Sequence, residues 1–196
     1  MGQKIFTIIF ILCVFGLLVL NRVRVDPQIE ARVIRDWSHS TNKTSTENKV
    51  FRQGETVHTG KGEFLELTLG DGTIVFLDEN TNLQLKSLSK NSVRVGFGHG
   101  RILVKVKDGD RLDIDTPTAQ NEVISRASFI GYDFKHETSV IPLSGSIRTT
   151  IPLLDRTLDV TSPITIHDVN PPTVENIAFD EKNNARKEFY AWTEQK

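Results

Sequence analysis

The sequence predicts an all-β protein, either a rolled sandwich or a short β-helix-like stack of short strands, with one helix at each end. From residue 50 onward, apolar residues alternate with polar ones at a period of two, which is typical of strands. Turn residues (Gly, Asn, Asp and Lys) interrupt this pattern roughly every 8–12 residues, as in sandwiches, rolls and barrels. Residues 50–168 contain no helical period of useful length. The two helices are an N-terminal transmembrane segment and a C-terminal amphipathic segment.

The composition is that of one globular domain with room for an appendage at either end. The chain has 196 residues, of which 38% are hydrophobic and 25% are charged, so it can form a core. Its net charge of -1 argues against a nucleic-acid partner. The single cysteine, Cys13, excludes an internal disulfide and a cysteine-based metal cluster.

Residues 5–20 are the predicted membrane anchor. They read IFTIIFILCVFGLLVL, carry no charge and would cover roughly 24 Å as a helix, slightly short of a hydrocarbon core of about 30 Å. The flanking bases extend this span at both ends: Lys4, Arg22 and Arg24. A cleaved signal peptide and a buried soluble helix are the alternatives, but a cleavage site needs small residues that this stretch lacks. Because both flanks are basic, charge alone does not set the orientation.

The segment after the anchor contains a first strand and a polar loop. Ala31 and Val33 begin the strand, and residues 38–49 have no apolar side chain, which predicts a mobile loop or linker. The predicted segments are a cytoplasmic tail (1–4), the anchor and its flank (5–25), the first strand and polar loop (26–49), a β domain (50–170) and a C-terminal helix (171–196).

Alternation assigns side chains to the faces of the predicted strands. Three leucines share one face, with polar residues between them: Leu65, Leu67 and Leu69. The run Thr73–Leu77 is apolar on both faces, which predicts a strand that is covered on both sides. The short runs that begin at Gly100 and Gly145 resemble each other, as stacked coils would, but two copies are too few to establish a solenoid.

A stripe of apolar residues at steps of four, seven, four and three predicts the C-terminal helix: Val174, Ala178, Ala185, Phe189 and Trp192. Pro171-Pro172 is predicted to end the strand region, and Thr173 is a suitable residue to cap the helix. Phe189 and Trp192 are the candidate face through which the helix docks on the β domain or on a partner.

The motifs that resemble reactive sites have ordinary structural explanations. Gly96–Gly100 is superficially similar to a phosphate-binding loop, but strand patterns on both sides predict a hairpin turn. Asp78 and Glu79 lie in a predicted turn, where carboxylates commonly accept backbone hydrogen bonds. Asp108–Asp115 lacks the spacing of an EF-hand loop, and the five histidines have no metal-ligand spacing. We therefore expect no catalytic residue, no cofactor, no metal site and no enzymatic activity.

Positive charge is concentrated in residues 86–111, which contain seven basic residues against two acidic ones. Arg101, Lys105 and Lys107 have the same parity and would share one strand face. Such a face fits an anionic partner. The alternative is a solvated strand face whose lysines protect a sheet edge.

Four short motifs follow one another between Phe51 and Ile151: Thr59-Gly60, Asp71-Gly72-Thr73, Gly100-Arg101-Ile102 and Thr116-Pro117. With these motifs in this order, the stretch resembles the FecR domain. Two features depart from the family pattern. Ala127-Ser128 stands where members usually have a glycine-threonine pair. Met1–Lys4 precede the predicted span, so we expect this protein to lack the cytoplasmic anti-sigma segment of the family's iron-siderophore sensors.

The resemblance implies a bacterial envelope protein with an extracytoplasmic all-β domain. We therefore expect a single-pass protein of the cytoplasmic membrane whose FecR-like domain is a non-catalytic binding or scaffolding module. Its expected partner is a protein or an anionic envelope polymer. One alternative is a signal-transduction subunit that relays the state of the envelope to a membrane partner. A second alternative is an enzyme of wall-polymer metabolism.

Overall fold

The computed structural model describes residues 28–38, 43–45, 49–70, 72–90, 92–107, 109–124, 127–132, 136–180 and 187–194. The predicted anchor at residues 5–20 and its flanks lie outside these ranges. Within the described residues, no helix has both the length and the apolar character to cross a membrane.

Sixteen β-strands make up most of the described chain. They are β1 (Ala31–Ser38), β2 (Lys43–Ser45), β3 (Val50–Phe51), β4 (Thr56–His58), β5 (Glu63–Leu69), β6 (Thr73–Leu77), β7 (Asn82–Ser89), β8 (Ser92–Lys105), β9 (Leu112–Asp115), β10 (Gln120–Val123), β11 (Ala127–Tyr132), β12 (Glu137–Ser144), β13 (Ile147–Ile151), β14 (Arg156–Val160), β15 (Ile164–His167) and β16 (Thr173–Asn176). A short 3₁₀ turn follows β13 (Pro152–Leu154), and helix α1 follows the strands (Lys187–Thr193).

The strands form two sheets that share the long strand β8. Sheet A has the order β14-β13-β10-β9-β8-β7-β4, and sheet B has the order β1-β5-β6-β8-β11-β12-β15-β16. The first half of β8 pairs in sheet A, and the second half, from Gly100, pairs in sheet B. Among the described strands, only β8 and β9 pair in parallel. The predicted all-β fold is confirmed. The mainly antiparallel pairing argues against a β-helix-like stack, whose coils would pair in parallel, and two sheets with a core between them correspond to the rolled-sandwich alternative.

The hydrophobic core lies between the two sheets. Sheet B contributes side chains such as Leu67, Leu69, Val75 and Leu77, and sheet A contributes Leu83, Leu85, Val95, Leu112 and Ile114. The predicted leucine face of β5 is confirmed, with Leu65 partly buried at the margin of this cluster. Because apolar and polar residues alternate along the strands of both sheets, their apolar side chains point into the same core between the sheets.

The outer face of sheet B is also apolar, and helix α1 covers it. The ring centroids of Phe64 and Phe189 are 5.4 Å apart, and that of Trp192 lies 5.6 Å from Phe64 and 5.7 Å from Phe76. Phe76 belongs to β6, whose alternate residues Val75 and Leu77 face the core on the other side. The prediction that Thr73–Leu77 is covered on both faces is confirmed.

Two basic side chains of sheet B hold the C-terminal end of α1. Lys105 Nζ donates a hydrogen bond to the carbonyl oxygen of Thr193 (3.1 Å) and pairs with the Glu194 carboxylate (3.0 Å). A cation at this position is favourable because the last carbonyl groups of a helix have no intrahelical partner. Arg35 lies over the Trp192 ring, 4.7 Å from its centroid, and forms a half-buried ion pair with Glu66.

Two predicted boundaries were wrong. Pro171-Pro172 does not end the strand region, because Thr173–Asn176 forms β16 on the edge of β15, where Val174 stands opposite Ile166. The helix predicted over 171–196 is described only at Lys187–Thr193. The open edge of β15 gives the backbone of Thr173 and Val174 hydrogen-bond partners, and both residues are β-branched and favour strands. This pairing prevails over the weak helical pattern of the segment. The polar loop also differs, since Lys43–Ser45 pairs with β1.

Candidate binding groove

The strand crossing at Gly100 is fixed by a cluster of buried hydroxyl groups. The Thr59 hydroxyl donates to the carbonyl oxygen of Asp78 and accepts from the Thr81 backbone N–H at 3.0 Å. The Thr81 hydroxyl in turn accepts from the Arg101 backbone N–H at 3.0 Å. Gly100 has φ +118°, and a Cβ there would lie 2.5 Å from the Thr81 Cα. Only glycine fits at this contact, so β8 changes sheets at a position set by its neighbours.

Asp78 supports the same crossing. Its side chain is fully buried, and Oδ1 accepts a hydrogen bond from the Glu79 backbone N–H at 2.7 Å. Glu79 Oε2 accepts from the Gly62 backbone N–H at 2.7 Å. The predicted use of these two carboxylates as turn acceptors is confirmed. The Arg101 guanidinium lies 3.8 Å from Asp78 Oδ2, so this arginine balances a buried charge.

The glycine-rich run before the crossing is a bulged strand, and the predicted hairpin turn at Gly96–Gly100 was wrong. Asn82 stands opposite His99, whereas Gln84 stands opposite Gly96, so β8 has one more residue than β7 in this interval. Such a bulge bends a strand and increases its local twist. The bend allows β8 to continue from sheet A into sheet B without a turn.

The bulge opens a groove on the outer face of sheet A. The groove has a volume of about 390 Å³, within the range of roughly 300–1,000 Å³ that is common for ligand sites. β4 and β7 line one wall with hydroxyl and amide groups, namely those of Thr56, Asn82 and Gln84. The loop after β9 lines the other wall with Thr116 and Pro117.

The glycines of β8 have two different roles in this groove. A Cβ on Gly96 would lie 2.5 Å from Lys86 Cε, so this glycine leaves the space in which the lysine crosses β8. Lys86 Nζ thereby reaches Asp115 Oδ2 at 2.9 Å. A Cβ on Gly98 would meet no atom within 4 Å, and its φ is not in the left-handed region. Gly98 is therefore a position at which the groove stays open only because the side chain is absent.

A row of charged residues continues across sheet A beside the groove. Adjacent strands place these residues directly opposite one another: Arg94, Asp113, Glu122, Arg148 and Asp159. Arg111 also belongs to this row, because its guanidinium nitrogens lie 3.2 Å from an oxygen of Asp113 and 3.0 Å from an oxygen of Glu122. The hydrogen bond to Asp113 raises the pKa of Arg111. Each base of the row faces an acid, so the row has no unbalanced cationic surface.

Arg101 and Lys105 of the predicted anionic-partner face lie on the outer face of sheet B, because Ile102 and Val104 between them face the core and Leu103 faces outward. Arg101 is held near Asp78, and Lys105 is engaged by the end of α1. Lys107 is exposed beyond the end of β8. Two of the three basic side chains therefore have partners within this chain, and the anionic-partner face stays a prediction.

The predicted docking residues of the helix are covered by the protein's own sheet. Phe189 and Trp192 are 1% and 4% exposed, and both pack in the aromatic cluster on the outer face of sheet B. The helix face considered for a partner is thus occupied within this chain. In the described part of the chain, no group of three or more His, Cys, Asp and Glu side chains has an arrangement that could hold a metal ion.

The groove residues on β7 and β9 were not predicted from the sequence. Asn82, Gln84, Lys86 and Asp115 are single polar residues on alternating strands, a pattern that every solvated sheet face shares. Two signals did point to this place: Thr116-Pro117 belongs to the quoted family motifs, and the Gly-x-Gly run stood out in the sequence. Neither signal identifies the opposite wall of a groove.

Comparison with known families places these motifs in one domain. Residues 55–148 match the family model described as FecR protein. The chain contains a FecR domain. The residues that line the groove lie between Thr56 and Pro117 in the sequence, and all of them fall within the matched span. A comparison with curated protein sequences gave no match.

Two crystal structures, at 1.65 and 2.50 Å resolution, share the fold of this FecR-domain chain. Both are of a protein from Parabacteroides distasonis ATCC 8503 that is described as a "putative anti-sigma factor". In each case the TM-score is 0.55 and the sequence identity is 18%, and the match covers 71% of this chain. It covers 64% of the other chain, so the similarity spans less than two thirds of that protein's length. At this identity the similarity establishes the fold alone.

Proposed function

We propose that this chain is a non-catalytic binding module of the bacterial envelope, with a role in signalling or regulation. The observation that carries the proposal is the FecR family match over residues 55–148. The description of the protein with the similar fold, "putative anti-sigma factor", is in keeping with a regulatory role.

The unequal outer faces of the sandwich support a binding role. Sheet B is covered by α1, which buries its aromatic residues. Sheet A carries a balanced polar face and an open groove, both of which suit a reversible contact with a polar ligand. In this proposal the groove receives the signal.

The signalling role predicts a defined transcriptional effect in the native bacterium. A strain that lacks this gene should change the expression of a small group of genes, as measured by RNA sequencing. The wild-type gene should restore the original pattern, and a gene that encodes the core variant Leu67→Asp should not. An unchanged transcript profile in the deletion strain would contradict the signalling role.

We further propose that residues 5–20 anchor the chain, with residues 1–4 in the cytoplasm and residues 26–196 outside it. A cysteine at Leu153, in a chain that also carries Cys13→Ser, provides the test. Leu153 is 72% exposed in the turn after β13, so a thiol there is accessible and its introduction should not disturb the core. A membrane-impermeant maleimide should label this variant in intact cells, or in spheroplasts where an outer membrane is present.

The parent of that variant, which carries Cys13→Ser alone, is the control and should remain unlabelled. Lysed cells that contain the Leu153→Cys chain give the maximal signal. Labelling that appears only after lysis would place the β domain in the cytoplasm and contradict the envelope location.

A further inference from the structure

The lining of the sheet A groove restricts the chemistry of its ligand. The groove lies on the face of a sheet, where backbone N–H and C=O groups are used in the strand ladders between β4, β7 and β8. Recognition therefore depends on side chains. Asn82 and Gln84 are exposed amides, each with a donor and an acceptor group, and Thr56 adds an exposed hydroxyl. Such a lining matches a ligand that is rich in hydroxyl and amide groups.

Charge balance argues for a neutral ligand. The cation of the groove, Lys86, is paired with Asp115 at 2.9 Å. An anionic polymer would have to compete with this carboxylate and would lose much of the Coulomb energy that favours its binding. A neutral ligand with hydroxyl groups leaves the ion pair intact and can donate to its carboxylate.

The shape of the depression favours a chain over a single small molecule. Asp115 also lines a second depression of about 150 Å³, beside the charged row, so the two depressions adjoin at this residue and together offer room for more than one ligand unit. Asp115 Oδ1 is a buried acceptor that has no hydrogen-bond partner within the described structure. A buried carboxylate oxygen of this kind has unused capacity for one donor.

We propose that this groove binds a neutral oligosaccharide chain that bears hydroxyl and acetamido groups. The amides of Asn82 and Gln84 pair with its acetamido groups, and Gly98 provides the space for a sugar ring. This inference rests on the proposed function only for the idea that the domain is a binding module. Its test uses purified protein, so its outcome is independent of the cellular location.

The test is calorimetric titration of the full chain, purified in a mild detergent, with the tetramer of β-1,4-linked N-acetylglucosamine. Wild-type protein should bind this probe. Gly98→Val should weaken binding at least tenfold, because the valine side chain extends into the groove. Its melting temperature should not fall, since the new Cβ meets no atom within 4 Å and valine is a better strand former than glycine.

Two further variants separate occlusion of the groove from a general change of the surface. Thr157→Val places a valine on the same outer face of sheet A, on the edge strand β14, and should bind like wild type. Asn82→Ala combined with Gln84→Ala should weaken binding at least tenfold without filling the groove.

Several results would overturn the proposal. Failure of the wild-type chain to bind the tetramer would exclude this ligand class. Equal affinity of the Gly98→Val variant and wild type would place the ligand elsewhere on the protein. Tighter binding of an anionic galacturonate tetramer, measured in the same way, would exclude a neutral ligand. Binding by a chain that the maleimide experiment locates in the cytoplasm would refute the envelope location and leave the groove assignment valid.

Discussion

The substitution Leu67→Asp should severely destabilise the folded sandwich. Leu67 has no exposed surface and lies in the core between the sheets. On β5 it stands opposite Val33 of β1 and Val75 of β6, so apolar residues flank it on both sides. An aspartate there would have no partner for its charge. The expected loss in the free energy of unfolding is about 4 kcal/mol or more, a large part of the 5–15 kcal/mol that is typical of a domain.

Thermal unfolding of the full chain, followed by circular dichroism at the strand minimum, measures this effect. The matched control is Leu153→Asp, the same chemical change at a leucine that is 72% exposed. The control should change the free energy of unfolding by no more than about 0.5 kcal/mol. If Leu67→Asp melted within a few degrees of the parent protein, Leu67 would not be a core residue.

The interior of the fold was predictable because it depends on local alternation. The face shared by Leu67 and Leu69 follows from a period of two, which any strand imposes. The run Thr73–Leu77 is apolar throughout, and the structure covers it with the core on one side and α1 on the other. In both cases the side chains themselves indicated how many layers would enclose them.

The course of β8 was not predictable from local sequence. A glycine-rich run between two strand patterns is equally typical of a hairpin turn and of a bulged, bent strand. The choice depends on the close approach of Gly100 to Thr81, whose backbone N–H donates to the Thr59 hydroxyl and whose own hydroxyl accepts from the next residue of β8. These residues are about 20 and 40 positions apart in the sequence. The alternation of apolar and polar residues within one strand carries no information about such distant contacts.

The groove could not be predicted from the sequence for a related reason. Its walls come from β4, β7, β8 and the loop after β9, and only the pairing of these strands brings the side chains together. The charge count of residues 86–111 was correct but misleading. The partners that occupy its bases, such as Asp115 for Lys86 and the end of α1 for Lys105, come from other parts of the chain.

Helix α1 is stable only because it packs on the outer face of sheet B, and the second prediction follows from this dependence. The helix has seven residues, far fewer than the roughly 12–15 that an isolated helix needs in water. Phe189 is 1% exposed and touches Phe64, Tyr190 and Trp192 through its ring. Replacing a buried phenylalanine by alanine typically costs about 3–5 kcal/mol. For a helix this short, such a loss should exceed the free energy of docking.

Phe189→Ala should therefore release α1 while the sandwich stays folded. Trp37 and Trp192 both belong to the aromatic cluster, so their fluorescence emission should shift to the red as the cluster opens to water. The far-ultraviolet spectrum should keep its strand minimum, because the core between the sheets does not include Phe189. Amide hydrogens of Lys187–Thr193 should exchange at the rate of an unstructured segment.

Glu188→Ala, at an exposed position of the same helix, is the control and should leave emission and exchange unchanged. Slow exchange and unshifted emission in Phe189→Ala would mean that Lys105 and Arg35 hold the helix without the aromatic contacts.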